Sequence, residues 1–238
     1  MKRVLRLLAA GVVVLVLVAV TVLYLAFGRN RPIVDGQVVA PGVQTVKDGF
    51  VSVFLLDAGP GKVALIDCGN DKAGKALLQG LQRRGLSPAS VTAIFLTHGH
   101  PDHVAGCKLF PDAQVYALAE EVPLIADAAR VTHPLKDGEV TDVGPLRVEA
   151  FATPGHTSGS ATFLADGVLF FGDSAAGGKD GTLLPAVRLF SNNPNQNVAS
   201  LKALAARLQP RAQDVKTLAF AHSGPLDGFQ PLARFAAQ

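Results

Sequence analysis

Apolar residues are distributed along this chain in three patterns, and each predicts a different kind of element. From Leu7 to Phe27 runs a stretch of 21 uncharged residues, mostly Leu, Val and Ala. As a helix rising about 1.5 Å per residue it would span roughly 31 Å, close to the hydrocarbon thickness of a bilayer. It has none of the polar stripe that a surface helix carries. The run therefore predicts one N-terminal transmembrane helix, with a cleaved signal peptide as the alternative.

The second pattern is a series of short runs rich in Val, Ile and Phe, with turn residues close by. They fall at Val51–Leu56, Val63–Ile66, Ala93–Thr97, Val115–Ala117, Leu146–Ala152, Ala161–Leu164, Val168–Phe171 and Thr217–Ala221. Their length and composition predict strands. The third pattern repeats every three or four residues. Ala73, Leu77 and Leu81 mark one helix, closed by Gly85; Val198, Leu201, Leu204 and Leu208 mark another, with Asn residues ahead and Pro210 beyond. Many strands with few helices between them predict an α/β (α+β) fold of two packed sheets with helices outside. Residues 1–31 read as a membrane anchor with its flanks, 32–48 as a linker broken by Gly and Pro, and 49–238 as one catalytic domain.

Charge sharpens this division. The chain is +3 overall, yet five basic residues (Lys2, Arg3, Arg6, Arg29, Arg31) and no acidic ones lie in residues 1–31. The remainder carries 17 basic against 19 acidic residues, a net −2. The basic character belongs to the flanks of the apolar run, so no nucleic-acid partner is expected. Three basic residues before the run and two after it predict a cytoplasmic N-terminus. The catalytic domain is then extracytoplasmic, periplasmic in a Gram-negative source, or secreted if the segment is clipped. Cys68 and Cys107 are too few for a disulfide framework and read as small buried thiols, their pairing left open.

Five predicted strands run into polar residues that can bind or support a metal. Ile66 leads to Asp67, and Thr97 leads to His98-Gly-His100-Pro-Asp102-His103. Thr153 leads to His156, Phe171 to Asp173, and Ala221 to His222. Rigid strands presenting functional residues on the loops at their ends are a common way to build a site. Imidazole and carboxylate suit zinc, with iron and manganese as alternatives. His98 and His100, two residues apart, project the same way and can hold one ion. Asp102 and His103 are better placed for a second, with His156 and His222 completing the two spheres. Asp173 is the natural bridge, since one carboxylate can give an oxygen to each ion. Two ions about 3.5–4 Å apart can turn a bridging water into hydroxide at neutral pH, a nucleophile for an ester-like bond. Asp102 and Asp173 are thus candidate catalytic groups as well as ligands. Asp67 is a candidate support for the His98 loop through a hydrogen bond.

These segments, together with Pro154-Gly155-His156-Thr157, Gly172-Asp173 and Ala221-His222-Ser223-Gly224, resemble the ordered motifs of the metallo-β-lactamase superfamily. The resemblance covers about residues 45–225. It implies a four-layer αββα sandwich of two mixed sheets flanked by helices, with the metals at one edge of the sheets. It also implies that His98, His100 and His156 hold the first metal and Asp102, His103 and His222 the second, bridged by Asp173. The expected activity is dinuclear hydrolysis of a thioester, lactone, ester or phosphodiester in a small-molecule substrate. A mononuclear iron dioxygenase on the same fold is the alternative. β-Lactam hydrolysis is disfavoured, because the true β-lactamases of this fold carry Cys or Ser where Asp173 stands. The ligand set resembles that of glyoxalase II enzymes, but those add a helical C-terminal domain that helps bind glutathione, and 16 residues follow His222 here. Ser174–Asn197 is expected to be a long loop forming one side of the pocket, with Lys179 or Arg188 available to an anionic group or to solvent. His133 is expected in a surface loop.

Overall fold

A computed structural model describes residues 2–238, except for the side chains of residues 2–10 and 19. The first sheet holds seven strands in sequential order: β1 (Val38–Ala40), β2 (Val43–Asp48), β3 (Val51–Asp57), β4 (Val63–Ile66), β5 (Val91–Phe95), β6 (Gln114–Leu118) and β7 (His133–Leu135). Pairing is antiparallel from β1 to β4 and parallel from β4 to β7. The second sheet is built from β8 (Val140–Val143), β9 (Leu146–Ala152), β10 (Ala161–Ala165), β11 (Val168–Phe170), β14 (Thr217–Ala219) and β15 (Leu226–Asp227). Its order is β15-β14-β11-β10-β9-β8, with β11 and β14 the parallel pair. A separate hairpin joins β12 (Ala175–Gly177) to β13 (Leu183–Pro185).

Three apolar layers follow from the period-2 alternation of the strands. Phe54, Leu56, Ile66 and Phe95 point one way to meet Val148, Phe163 and Phe170 of the second sheet. Val53, Leu55, Leu65 and Ile94 point the other way, onto Leu77 and Leu81 of helix α2 (Lys75–Arg83). Phe151, Leu169 and Leu218 leave the outer face of the second sheet to pack on α5 (Pro194–Leu208) and α6 (Gln230–Ala236). The order is helix, sheet, sheet, helix. Helix α2 ends as its sequence predicts: Gly85 takes φ +69° while its N–H bonds the Gln82 carbonyl and the Leu86 N–H that of Leu81. Asn193 caps α5, its side chain accepting from the Gln196 N–H. Two single-turn helices, α3 (Pro101–Val104) and α4 (Val122–Ile125), lie in loops between strands.

Three expectations are corrected. Residues 38–40 and 43–48, inside the expected linker, are strands of the first sheet. The Gly and Pro that marked a linker are instead turns between short strands. The expected loop 174–197 holds the β12–β13 hairpin, a short helical turn at Arg188–Phe190 and the start of α5. His133 begins strand β7 and stays exposed, stacked on Tyr116 at 4.8 Å.

Helix α1 runs from Lys2 to Phe27. Among the described residues no helix is long and apolar enough to cross a membrane. The expected span over 7–27 falls partly on side chains outside the description. Those that are described, from Val12 to Leu25, are exposed.

Candidate metal centre

The site lies where strand ends from both sheets meet. From the first sheet, β4 delivers Asp67, and β5 delivers Thr97, His98 and the turn that carries His100, Asp102 and His103. From the second, β9 delivers His156, β11 delivers Asp173 and β14 delivers His222. Gly172 sits at the sharpest of these exits. Its φ is +52°, and an added Cβ would lie 2.4 Å from the Thr97 hydroxyl oxygen, so only glycine fits there without strain.

All seven expected ligands converge, in two groups. One comprises His98, His100, His156 and Asp173; the other comprises Asp102, His103 and His222. In the first, His156 Nε2 lies 3.2 Å from His98 Nε2 and 3.0 Å from His100 Nδ1. Asp173 stands between the groups. Its Oδ2 is 3.5 Å from His156 Nε2 and 3.2 Å from His222 Nε2, while its Oδ1 is 3.3 Å from His103 Nε2. Asp102 Oδ2 lies 3.3 Å from His222 Nε2.

The far nitrogens of four rings are held by acceptors, which aims the near nitrogens at the centre. His103 Nδ1 donates to Asp67 at 2.8 Å and His222 Nδ1 to the Phe50 carbonyl at 3.0 Å. The Thr97 hydroxyl donates to Asp67, so it accepts from His98 Nδ1 at 3.1 Å. The Ser191 hydroxyl donates to the Val187 carbonyl, so it accepts from His156 Nδ1 at 3.3 Å. Such partners fix the tautomer and ring orientation of metal-binding histidines. The buried His103 Nε2 and Asp173 Oδ1 have no hydrogen-bond partner among the described residues. Orphaned buried atoms of this kind call for an explanation, and a cation between them supplies it. The donor set fits metal ions.

Electrostatics separate the two groups. Burial pushes His98 well below the usual imidazole range, helped by the charge on His103. Burial likewise takes His156 down to about 4. On the other side, burial opposes charging of His222, but Asp173 and Asp102 outweigh it and raise it to about 10. Burial opposes charging of His103 too, yet Asp173 and Asp67 raise it well above its ordinary value. Burial would raise the Asp173 carboxyl, but His103 and His222 hold it well below the usual carboxylate range.

A profile of the metallo-β-lactamase superfamily matches residues 46–222. The chain belongs to the metallo-β-lactamase superfamily. Its sequence is similar to curated hydroxyacylglutathione hydrolases: 32% identical over 158 residues to that of Citrobacter koseri and 33% over 163 residues to that of Salmonella paratyphi A. The match covers 65% and 67% of this chain, and 56% and 57% of those proteins. The chain thus spans little more than half the length of these relatives. A metallo-β-lactamase family protein of Thermus thermophilus superposes with a TM-score of 0.64 at 25% identity, over 84% of this chain and 80% of that one. The subclass B3 metallo-β-lactamase of Bradyrhizobium japonicum gives 0.62 at 17% identity, over 88% and 91%. That degree of identity shows a shared fold alone.

Three residues at the site lay beyond the sequence reading. Glu121 is fully buried and accepts from the Gly99 N–H, the Thr157 hydroxyl and the Gly159 N–H at 2.8–2.9 Å. It ties the His98–His100 loop to the His156 loop, and nothing in the run Ala119-Glu120-Glu121 distinguishes it from a surface glutamate. Phe27 and Phe190 are the other two. Their rings stack 6.0 Å apart, and Phe27 meets the His222 ring edge-on at 5.8 Å. Of the two cations considered for the pocket, Lys179 is tied to the Gly28 carbonyl, and neither it nor Arg188 lines the cavity. Cys68 and Cys107 are buried and free.

Proposed function

We propose that this protein is a dinuclear, zinc-dependent hydrolase of ester-like bonds, with thioesters the first class to test. One observation carries the reading: seven donors form two groups with Asp173 between them, its Oδ2 within reach of His156 and His222 and its Oδ1 of His103. His98, His100 and His156 would hold one ion, Asp102, His103 and His222 the other, and Asp173 would bridge them. Divalent ions held there supply a nucleophile from water at neutral pH and a Lewis acid for the oxygen under attack. The chain's own residues do the rest. Asp67 and Glu121 fix the ligand loops, and Asp102, partly exposed beside His222, can accept the proton released from water. Hydrolysis adds the water oxygen to the acyl carbon, breaks its bond to sulfur or oxygen, and returns a proton to the leaving group.

The hydroxyacylglutathione hydrolases among the relatives support the choice of thioesters. The reading extends to residues 1–31 as an anchor, with the catalytic domain outside the cytoplasm. Support for that comes from the 21 uncharged residues and their basic flanks. Zinc-loaded protein should turn over at least one member of a panel of thioesters, esters, lactones and phosphodiesters. Turnover should stop on chelation and return with zinc. A fully loaded protein inert toward the whole panel would overturn the proposal.

A further inference from the structure

The metal centre opens into a cavity of about 950 Å³ whose wall includes the end of the N-terminal helix. Besides the candidate metal ligands, Leu23, Phe27, Pro32, Ile33, Phe50 and Phe190 make the apolar part of its wall, and Asn30, Arg31 and Lys47 a polar part. Leu23 and Phe27 stand four residues apart, one above the other on a single face of α1. The Phe50 ring stacks on that of His222 at 5.7 Å, and the Phe50 carbonyl accepts from the same imidazole.

The exit of the helix is fixed to the site. The Asn30 amide donates to the His222 carbonyl at 3.0 Å, and the Arg31 N–H donates to that of Gly177 at 2.8 Å. The Gly224 N–H donates to the Arg31 carbonyl at 3.0 Å, and the Arg31 guanidinium to that of Pro225 at 2.9 Å. These bonds lock residues 30–31 onto the loop that carries a metal ligand, where a free tether would have no such partners.

Before that locked segment the helix is bare. Its side chains from Val12 to Val18 and from Val20 to Leu25 are exposed and, apart from the hydroxyls of Thr21 and Tyr24, apolar on every face. The proposed reading of residues 1–31 as an anchor covers this surface with a bilayer. The hydrocarbon that covers Leu23 then lies beside the cavity that Leu23 lines.

We infer that the substrate is an amphiphile whose scissile acyl group carries a long apolar chain, received along the Leu23–Phe27 face of the anchor helix. The inference rests on the hydrolase reading, whose substrate class it names, and also on the proposed reading of residues 1–31 as an anchor. Binding energy from the chain, remote from the reacting carbonyl, would hold that carbonyl at the metals. The same chemistry excludes small, fully polar acyl groups as good substrates, since they leave the apolar wall without a partner.

The test uses the full chain, zinc-loaded and reconstituted in phosphatidylcholine vesicles. Its probes are a series of acyl thioesters, butyryl to decanoyl, with one head group, and the matching oxygen esters. The expected result is a rise in kcat/KM of about thirty-fold or more from butyryl to decanoyl. Leu23→Ser and Phe27→Ser should each cut that decanoyl-to-butyryl ratio to below about a third, whereas Leu15→Ser, on the same helix but away from the cavity, should keep it. Turnover that is flat or falls with chain length overturns the inference and leaves the hydrolase reading standing. A rising ratio that Leu23→Ser and Phe27→Ser leave unchanged also overturns it, because partition into the vesicle would then explain the rise. No turnover of any member also overturns the inference, and inertness toward lactones and phosphodiesters in addition removes the hydrolase reading as well.

Discussion

The two halves of the metal centre are built from similar residues yet hold opposite charge states. On one side His98 and His156 are buried among other imidazoles, and both are driven neutral. On the other, His103 and His222 face Asp67, Asp102 and Asp173 and are held protonated in the metal-free protein. The first half offers lone pairs to a cation at neutral pH without losing a proton. The second must release protons as it binds. The comparison teaches that carboxylate placement, more than ligand type, decides how each half loads. The first half should fill first.

Removing the shared group breaks the comparison most completely. Asp173→Ala should lower turnover on the order of a thousandfold or more, and should lower metal content in both halves. Wild-type activity in that variant would contradict the assignment. The supports of the two halves offer a finer cut. Glu121→Gln replaces an acceptor with a donor facing two N–H groups and a hydroxyl, loosening the loops of the three-histidine half. Asp67→Asn weakens the hold on His103 directly and on His98 through Thr97, and so acts on both halves. Each should reduce metal affinity by about ten- to a hundredfold. Competition with a zinc chelator should show the Glu121→Gln loss in the tighter phase alone and the Asp67→Asn loss in both.

The smallest effect is on pH. In the metal-free protein His222 is raised from 6.5 to about 10, so its contribution to stability is complete below pH 6.5 and is lost as pH rises through 10. His156 is lowered from 6.5 to about 4, so its penalty appears as pH falls below 6.5 and is complete below about 4. From these two groups, chelated protein should be most stable near pH 6.5. Thermal melts across pH 4–10 should show the maximum there, and addition of zinc should raise the alkaline limb most. His156→Ala and His222→Ala should flatten the acid and alkaline limbs respectively.

Most of the centre was legible because ligands follow apolar strands, so the chain order of His98, His156, Asp173 and His222 already marks the shared edge of the two sheets. The period-2 runs at Val51–Leu56 and Leu146–Ala152 fell within a residue of the strands that form. What was missed depended on partners distant in sequence. Strand β2 reads Val-Gln-Thr-Val-Lys-Asp between glycines, a half-polar stretch that becomes a strand only beside β3. The β12–β13 hairpin has strands of three residues, too short for periodicity to register. Glu121 gains its meaning from backbone N–H groups at positions 99 and 159, and Phe27 from a stacking partner 163 residues away. Local pattern carries propensity; such contacts belong to the tertiary structure.

The central claim is a two-ion centre, and its most direct test is the metal content of the protein purified without added metal or chelator. Elemental mass spectrometry should find close to two zinc ions per chain, falling toward one in His222→Ala while the three-histidine half stays filled. About one iron per chain, unchanged in His222→Ala and accompanied by oxygen uptake, would contradict it and point to the mononuclear dioxygenase.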